Sequence, residues 1–171
     1  MFFVKPDVIV IADELEAPRP STFQWMLHAQ GPFRLHEAEQ RLVLDRGGAG
    51  LVVDYVSDGA LKLRQWTGYE PPPDARYLSS IGSSGIPPQW HVEAASAEPA
   101  TKALTLTVLR VYRQGRVPEG GVRVQRSPGA VEIQLSNSQS EEVTLALRPA
   151  SAKDFAEVRR GARQWRVSGP P

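Results

Sequence analysis

The sequence predicts an all-β protein, an antiparallel β-sandwich of about ten strands, and three observations lead to that class. Short segments alternate between apolar and polar residues with a period of two, as strands with one buried face do. Turn residues separate these segments, because the 171 residues include 15 prolines and 14 glycines. Apolar residues at helical spacing occur only near the C-terminus. Frequent turns between short strands favour a sandwich over an α/β fold.

The composition is that of a globular domain, with 41% hydrophobic and 23% charged residues. Its length predicts one main domain at residues 1–150, followed by a tail at residues 151–171. The net charge of +1 creates no overall field that would attract nucleic acid or an anionic membrane, and neither is expected as a partner. No run approaches the roughly 18 apolar residues that cross a bilayer. The absence of cysteine excludes disulfides and thiolate chemistry.

The first strong strand is the apolar run at residues 8–12, whose β-branched residues predict a central strand buried on both faces. The prolines at 18 and 20 predict that the next stretch is irregular. Residues 22–28 then alternate strictly, with Trp25 on the apolar face and His28 on the polar face. Two neighbouring strands are therefore expected, of which one is fully buried and the other has a solvated face.

Later segments follow the second pattern. Residues 41–45, 51–56 and 61–66, with turn signals between them, predict a three-stranded antiparallel meander. Residues 68–88 contain five prolines and form the longest irregular stretch, of a length typical of functional or mobile loops. Residues 102–113 predict a long strand with a β-bulge at Val108 and Leu109, where the apolar phase shifts.

The tail has a different pattern. Phe155, Val158, Ala162 and Trp165 recur at helical spacing, whereas Gly161 weakens a helix at this point. The pattern is compatible with a short C-terminal helix or with a disordered tail.

Two segments carry a family resemblance. Residues 8–28 combine a strand that ends in an acidic pair, a proline-containing connection and an aromatic-x-Trp-x-Leu-His segment, and residues 103–112 contain a hydrophobic run around Thr-Val-Leu. Together they resemble the C-terminal β-rich region of heparinase II/III-like polysaccharide lyases, over roughly residues 1–115. The resemblance implies a β-sandwich from a bacterial, periplasmic or secreted protein, packed against an α-helical catalytic domain. The strand-like pattern already present at residues 2–4 leads us to expect a fragment or an excised domain.

Basic and aromatic residues share one predicted strand face, at Lys62, Arg64 and Trp66. Such a face suits an anionic polysaccharide, because cations form charge-assisted hydrogen bonds with carboxylate or sulfate and an aromatic ring packs against a sugar ring. Arg76 and Tyr77 in the long loop would extend this surface. The alternative is a solvated sheet face on which Lys62 or Arg64 pairs with Asp54 and Trp66 covers the loop.

Histidines and tyrosines provide little evidence of catalysis. His28, His36 and His91 lack the spacing of a zinc site, so neither a metal nor another cofactor is expected. His28 is a candidate sugar contact at the end of its strand, or else a half-exposed histidine without a ligand. No motif pairs a tyrosine with a histidine, as proton abstraction beside a uronic acid carboxylate would require. In the family that the sequence resembles, the catalytic tyrosine belongs to a helical domain outside this chain.

The resulting hypothesis is a non-catalytic C-terminal β-sandwich of a heparinase II/III-like lyase, which packs against the catalytic domain and lines part of an anionic-sugar cleft. A free-standing carbohydrate-binding module is the alternative, and a minimal active lyase is a third possibility. A packing domain would expose a large apolar patch, whereas a binding module would have a defined groove.

Overall fold

The structure, a computed structural model, describes residues 1–69, 71–72, 74–76, 89–148 and 154–168. Within these ranges the chain forms fourteen strands in three antiparallel sheets, which confirms the predicted all-β, sandwich-like class. The strands are β1 (Phe2–Val4), β2 (Val8–Ser21), β3 (Gln24–Ala29), β4 (Arg34–His36), β5 (Arg41–Arg46), β6 (Ala49–Ser57), β7 (Leu61–Thr67), β8 (Trp90–Ser96), β9 (Ala100–Arg113), β10 (Arg123–Ser127), β11 (Ala130–Ser136), β12 (Glu142–Leu147), β13 (Asp154–Arg160) and β14 (Arg163–Ser168). None of the described segments is a helix long and apolar enough to cross a membrane.

The three sheets are stacked in layers. The central sheet has the strand order β1-β2-β9-β6-β5-β4, the five-stranded sheet runs from β10 to β14 in sequence order, and the three-stranded sheet has the order β3-β8-β7. One face of the central sheet packs on the five-stranded sheet through residues such as Val10, Val108 and Leu145. The other face packs on the three-stranded sheet through residues such as Leu42 and Val92. The central sheet is therefore covered on both faces.

Strand β9 explains why the predicted β-bulge is wrong. Its pairing with β2 and with β6 is continuous across Val108 and Leu109, without a shift of register. Both faces of β9 are covered, so apolar side chains are required on each face and a strict alternation is lost. The apparent phase shift in the sequence reflects this two-sided burial.

Strand β2 confirms a strand at residues 8–12 but is buried on one face only, since Ile9 and Ile11 are half-buried and Ala12 is exposed, and it extends further than predicted. Val8 and Val10 are fully buried, and the strand continues through both prolines to Ser21. Its pairing with β9 is interrupted between Glu16 and Ser21. Proline lacks an N–H group, and it is tolerated in a strand where the ladder needs no donor.

The predicted meander is correct for two of its three strands. β5 and β6 form a hairpin across Gly47, whose φ of 59° suits glycine. After β6 the chain leaves the central sheet, and β7 pairs with β8 in the three-stranded sheet. The turn residues identified the reversal of the chain, whereas they contain no information about which sheet the next strand joins.

The predicted C-terminal helix is wrong for residues 154–168. These residues form the β13–β14 hairpin, which completes the five-stranded sheet next to β12. Gly161, which weakened the helix, lies in the hairpin turn with a φ of 55°. Phe155 packs against Phe2 with 6.0 Å between ring centroids. A short series of apolar residues fits a helix and a pair of strands about equally well. Here the strands form because they pack against the rest of the five-stranded sheet and the core.

Candidate functional site

The outer face of the three-stranded sheet brings together four of the six residues that the sequence predicted as a binding surface. Strand register places His28, His91 and Trp66 in one row across β3, β8 and β7. Arg64 and Lys62 follow on β7 in the next two rows, on the same face. This set of residues is called the outer binding face below.

The first row of the outer binding face is a packed group of rings. The ring centroids of His28 and His91 lie 4.4 Å apart at an interplanar angle of 68°, and Trp66 stacks on His91 at 5.4 Å and 11°. The Nε2 of His91 lies 2.5 Å from the carbonyl oxygen of Gly68. Because a carbonyl only accepts, Nε2 is the donor in this contact. His91 is buried at the centre of the row, whereas His28 is exposed.

The second row contains the charged groups. The guanidinium carbon of Arg64 lies 4.5 Å from the centroid of the Trp66 ring, which is a cation–π contact. Arg64 also forms an ion pair with Glu93, with Nη2 and Oε2 3.3 Å apart. Gln24 donates to the same carboxylate oxygen at 3.0 Å. Trp66 is therefore partly covered by Arg64, and the exposed guanidinium and the Lys62 ammonium are the groups that a ligand would meet first.

The long loop contains the other two residues of the predicted binding surface, Arg76 and Tyr77. Arg76 is exposed and its backbone N–H donates to Asp74 Oδ1 at 2.7 Å, whereas Tyr77 lies outside the described residues. Their role in the binding surface stays a prediction. Among the described residues no group of three or more histidines, cysteines or carboxylates is placed to hold a metal ion.

The sequence analysis missed one member of the outer binding face, His91, and two residues in contact with it, Glu93 and Tyr69. Tyr69 contacts His91 edge to face, with 6.2 Å between ring centroids. Alternation on β8 contained the signal for the other two, because Val92 and Ala94 face inward and their neighbours must face outward. Tyr69 follows the end of β7, and no periodicity in the sequence indicates where its ring lies.

A second cluster, also missed, is a buried ion network on the opposite side of the central sheet. The carboxylate of Asp54 lies 2.7 Å from Arg41 Nε and 2.7 Å from Arg110 Nη2. Arg110 is fully buried and also donates to the carbonyl oxygens of Ser136 and Gly120, each at 3.1 Å. Asp54 is therefore not a surface partner of Lys62 or Arg64. Through the hydrogen bond from Arg110 to Ser136, the network joins the central sheet to the five-stranded sheet.

The tyrosines with shifted acidity lie away from the outer binding face. Burial raises the pKa of Tyr55, whose hydroxyl is enclosed between the central and three-stranded sheets. Burial, together with a hydrogen bond to Asp45, raises the pKa of Tyr112 to about 12. A tyrosine must be deprotonated to act as a base, and both raised pKa values disfavour the deprotonated form. Neither residue is therefore suited to abstract a proton at neutral pH.

Comparison with known proteins gives no further assignment. No family model matches the chain, and no curated protein matches it with significant sequence similarity. The resemblance noted at residues 8–28 and 103–112 stays a prediction.

Proposed function

We propose that this chain is a non-catalytic β-domain that binds an anionic polysaccharide on the outer binding face. The observation that supports the proposal is the position of His28, Lys62, Arg64 and Trp66 on one exposed sheet face. The sequence predicted a shared face for Lys62, Arg64 and Trp66, and His28 as a separate sugar contact.

The chemistry of the face suits a flat, acidic sugar chain. Arg64 and Lys62 offer charge-assisted hydrogen bonds to carboxylate or sulfate groups. The exposed His28 ring and the uncovered part of Trp66 offer apolar surface to sugar C–H groups. The ion pair between Arg64 and Glu93 is solvated on the arginine side, so the guanidinium is accessible to a sugar carboxylate.

The test is isothermal titration calorimetry with heparin, alginate and hyaluronan, and with uncharged dextran as the ligand control. We expect binding of at least one acidic polymer, an affinity that falls as NaCl is raised, and no binding of dextran. The double variant Lys62→Ala/Arg64→Ala should weaken binding about tenfold or more. Arg46→Ala, at an exposed end of β5, is the matched control and should leave the affinity unchanged. Equal losses in both variants, or no binding of any acidic polymer, would contradict the proposal.

A second candidate function is packing against a catalytic domain, as the family resemblance implies. The observation that favours it is an apolar groove of about 360 Å³ between edge strands β1 and β14. Phe3, Trp165 and Val167 line it and are 56%, 46% and 40% exposed. Exposed apolar side chains gathered in one groove are typical of an interaction surface.

This candidate predicts that a longer product of the same gene covers Trp165. Iodide quenching of tryptophan fluorescence should therefore decrease in a chain that includes any in-frame upstream helical domain, relative to the 171-residue chain. Trp165→Phe identifies the share of the quenching that comes from this residue. Undiminished quenching in the longer chain would exclude packing at this groove.

An assay for unsaturated uronate absorbance on the same polymers tests whether the chain itself has lyase activity, and turnover would contradict a non-catalytic role.

A further inference from the structure

We propose that the free edge of strand β14 binds an extended, acidic peptide segment whose apolar residues alternate with polar ones. The segment would add a further strand to the five-stranded sheet, which is a recurring mode of peptide recognition. The site is the apolar groove between β1 and β14, so the proposal rests on the second candidate function and specifies the segment that enters the groove. It is independent of polysaccharide binding.

The outer edge of β14 offers unpaired backbone groups. A two-residue turn at positions 161–162 joins β13 to β14, so the closing pair Arg160 and Arg163 exchanges both of its backbone hydrogen bonds. Hydrogen-bonded and non-hydrogen-bonded pairs alternate along the hairpin, and the N–H and C=O groups of Gln164 and Arg166 therefore point away from β13. β14 is the last strand of its sheet, and no other strand in the described ranges pairs with this edge.

Apolar side chains lie beside this edge. Trp165 and Val167 point to one face of β14 and line the groove together with Phe3 of β1. All three belong to the exposed large hydrophobic residues of the chain. Strand β10, at the other edge of the same sheet, contains no residue of this kind among its described positions. A strand added to β14 would cover the three side chains with every second residue.

The charges around the groove favour an acidic segment. Lys5 and Arg160 line the groove, and no carboxylate does. Arg160 is paired with Glu141, with Nε and Oε2 3.3 Å apart, whereas Lys5 is exposed. Arg163 is also exposed, and it points to the same face of β14 as Trp165 because the two residues are two positions apart. These three cations outnumber the carboxylate of Glu141.

The other carboxylates of the hairpin do not neutralise these cations. Glu157 pairs with Arg159 and Arg166, which point to the opposite face of the hairpin from Trp165. Asp154, at the open end of the hairpin, accepts a hydrogen bond from the hydroxyl of Ser168. Neither carboxylate lines the groove. A segment with acidic residues is therefore complementary to the groove in both charge and polarity.

A second copy of the chain is a poor occupant of the same edge. Antiparallel pairing of two β14 strands would bring Arg163 and Arg166 of both copies together, and like charges across an interface are destabilising. The same groove would also meet a second Lys5. An acidic segment avoids this repulsion and still supplies the backbone groups that the edge lacks.

The experiment titrates the ¹⁵N-labelled chain with the peptide acetyl-Asp-Ile-Thr-Val-Thr-Asp-amide and with a version in which lysine replaces both aspartates. We expect saturable shifts of the amide resonances of Phe3, Gln164 and Arg166, with the acidic peptide binding about tenfold or more tightly than the basic one. Methylation of alternate amide nitrogens tests strand addition directly. One alternate set should abolish binding and the other should leave it unchanged, because only every second N–H of an added strand faces β14.

Variants of the chain test the location and the charge of the site. Arg163→Glu should reverse the preference between the two peptides, and Arg123→Glu on edge strand β10 is the matched control that should keep it. Trp165→Ala should weaken binding of the acidic peptide about tenfold. Val117→Ala truncates an equally exposed side chain outside the groove and should leave the affinity unchanged.

Four results would overturn the proposal: no saturable shifts with the acidic peptide, equal affinities for both peptides, tolerance of both methylation patterns, or an unchanged preference in Arg163→Glu. Dimerisation of the chain that Trp165→Ala removes, measured by analytical ultracentrifugation, would assign the edge to a second copy instead. Shielding of Trp165 in a longer chain without any peptide binding would support packing at the groove while overturning strand addition, so the two failures are distinguishable.

Discussion

The two faces of the central sheet bury similar apolar side chains but differ in the polar groups that they enclose. The face that meets the five-stranded sheet encloses the charges of Asp54 and Arg110, and Arg110 is engaged by four hydrogen bonds, with only its Nε left unpaired. The face that meets the three-stranded sheet encloses the neutral hydroxyls of Tyr55 and Thr105, and neither has a partner among the described residues. One interface thus encloses paired charges, with Asp7 Oδ1 and Arg110 Nε left unpaired, and the other encloses neutral hydroxyls.

The difference shows how burial and pairing are linked. A buried charge has to be paired, and the pairing fixes where the segment around Gly120 and the end of β11 at Ser136 lie relative to the central sheet. A buried hydroxyl is less costly to leave alone, so the second interface tolerates a cavity beside Thr105. We infer that the ionic interface sets the relative position of the layers.

The largest expected effect comes from breaking the ionic interface. Asp54→Ala leaves Arg110 charged and buried, and the free energy of unfolding should fall by about 3–5 kcal/mol. The measurement is urea unfolding followed by tryptophan fluorescence. Arg34→Ala breaks the exposed ion pair with Asp45 and, as the control, should change stability by no more than about 1 kcal/mol. The double variant Asp54→Leu/Arg110→Met should recover part of the loss, because it removes the fully buried charge of Arg110, whereas Arg41 keeps its charge and loses its partner.

A matched pair of core truncations tests whether the apolar parts of the interfaces are equivalent. Leu145→Ala removes a fully buried side chain from the ionic interface, and Leu42→Ala does the same at the neutral interface. Each should lower the free energy of unfolding by about 2–5 kcal/mol, through lost burial and the cavity left behind. A loss at one interface only would show that the layers differ in packing as well as in polarity.

Removal of an unpaired hydroxyl should have the opposite sign. Tyr55→Phe deletes a buried group without a partner, so we expect the free energy of unfolding to rise by about 1 kcal/mol. Tyr112→Phe is the control, because its hydroxyl lies 2.5 Å from Asp45 Oδ1, and this change should destabilise by about the same amount. Urea midpoints of both variants measure the difference, and destabilisation by Tyr55→Phe would show that its hydroxyl is satisfied in solution.

The smallest effect concerns the ion pairs that Glu157 forms with Arg159 and Arg166. Burial raises the pKa of Glu157, but hydrogen bonding and the positive charge of Arg159 outweigh it, and the pKa is lowered from its ordinary value of 4.5. A carboxyl group whose pKa is lowered in the folded state stabilises the fold at pH values above its ordinary pKa. This stabilisation is lost as the pH falls through the lower pKa of the folded state. Unfolding curves from neutral pH to well below this value should therefore depend less on pH in Glu157→Gln than in the wild-type chain. Glu142→Gln, at an exposed position of β12, is the control and should follow the wild type.

The sequence predicted what depends on neighbouring residues. Strict alternation in residues 22–28 and 61–66 identified the inner and outer faces of β3 and β7 correctly, and with them the position of His28 and Arg64. The choice of sheet for β7 and the hairpin at residues 154–168 depend on partners far away in the sequence, which local patterns do not reveal. Arg110 was missed for the same reason, since its partner Asp54 lies 56 positions earlier.

The C-terminal hairpin has a consequence for biosynthesis. Strand β13 supplies Ala156 to the core that contains Val4, and Arg160 donates to the carbonyl oxygen of Lys5 at 2.7 Å. Because Arg160 lies 155 positions after Lys5, strand β1 leaves the ribosome well before the strands that cover it. While translation proceeds, its apolar side chains have no final neighbours, and this interval is when a chaperone would be of most use.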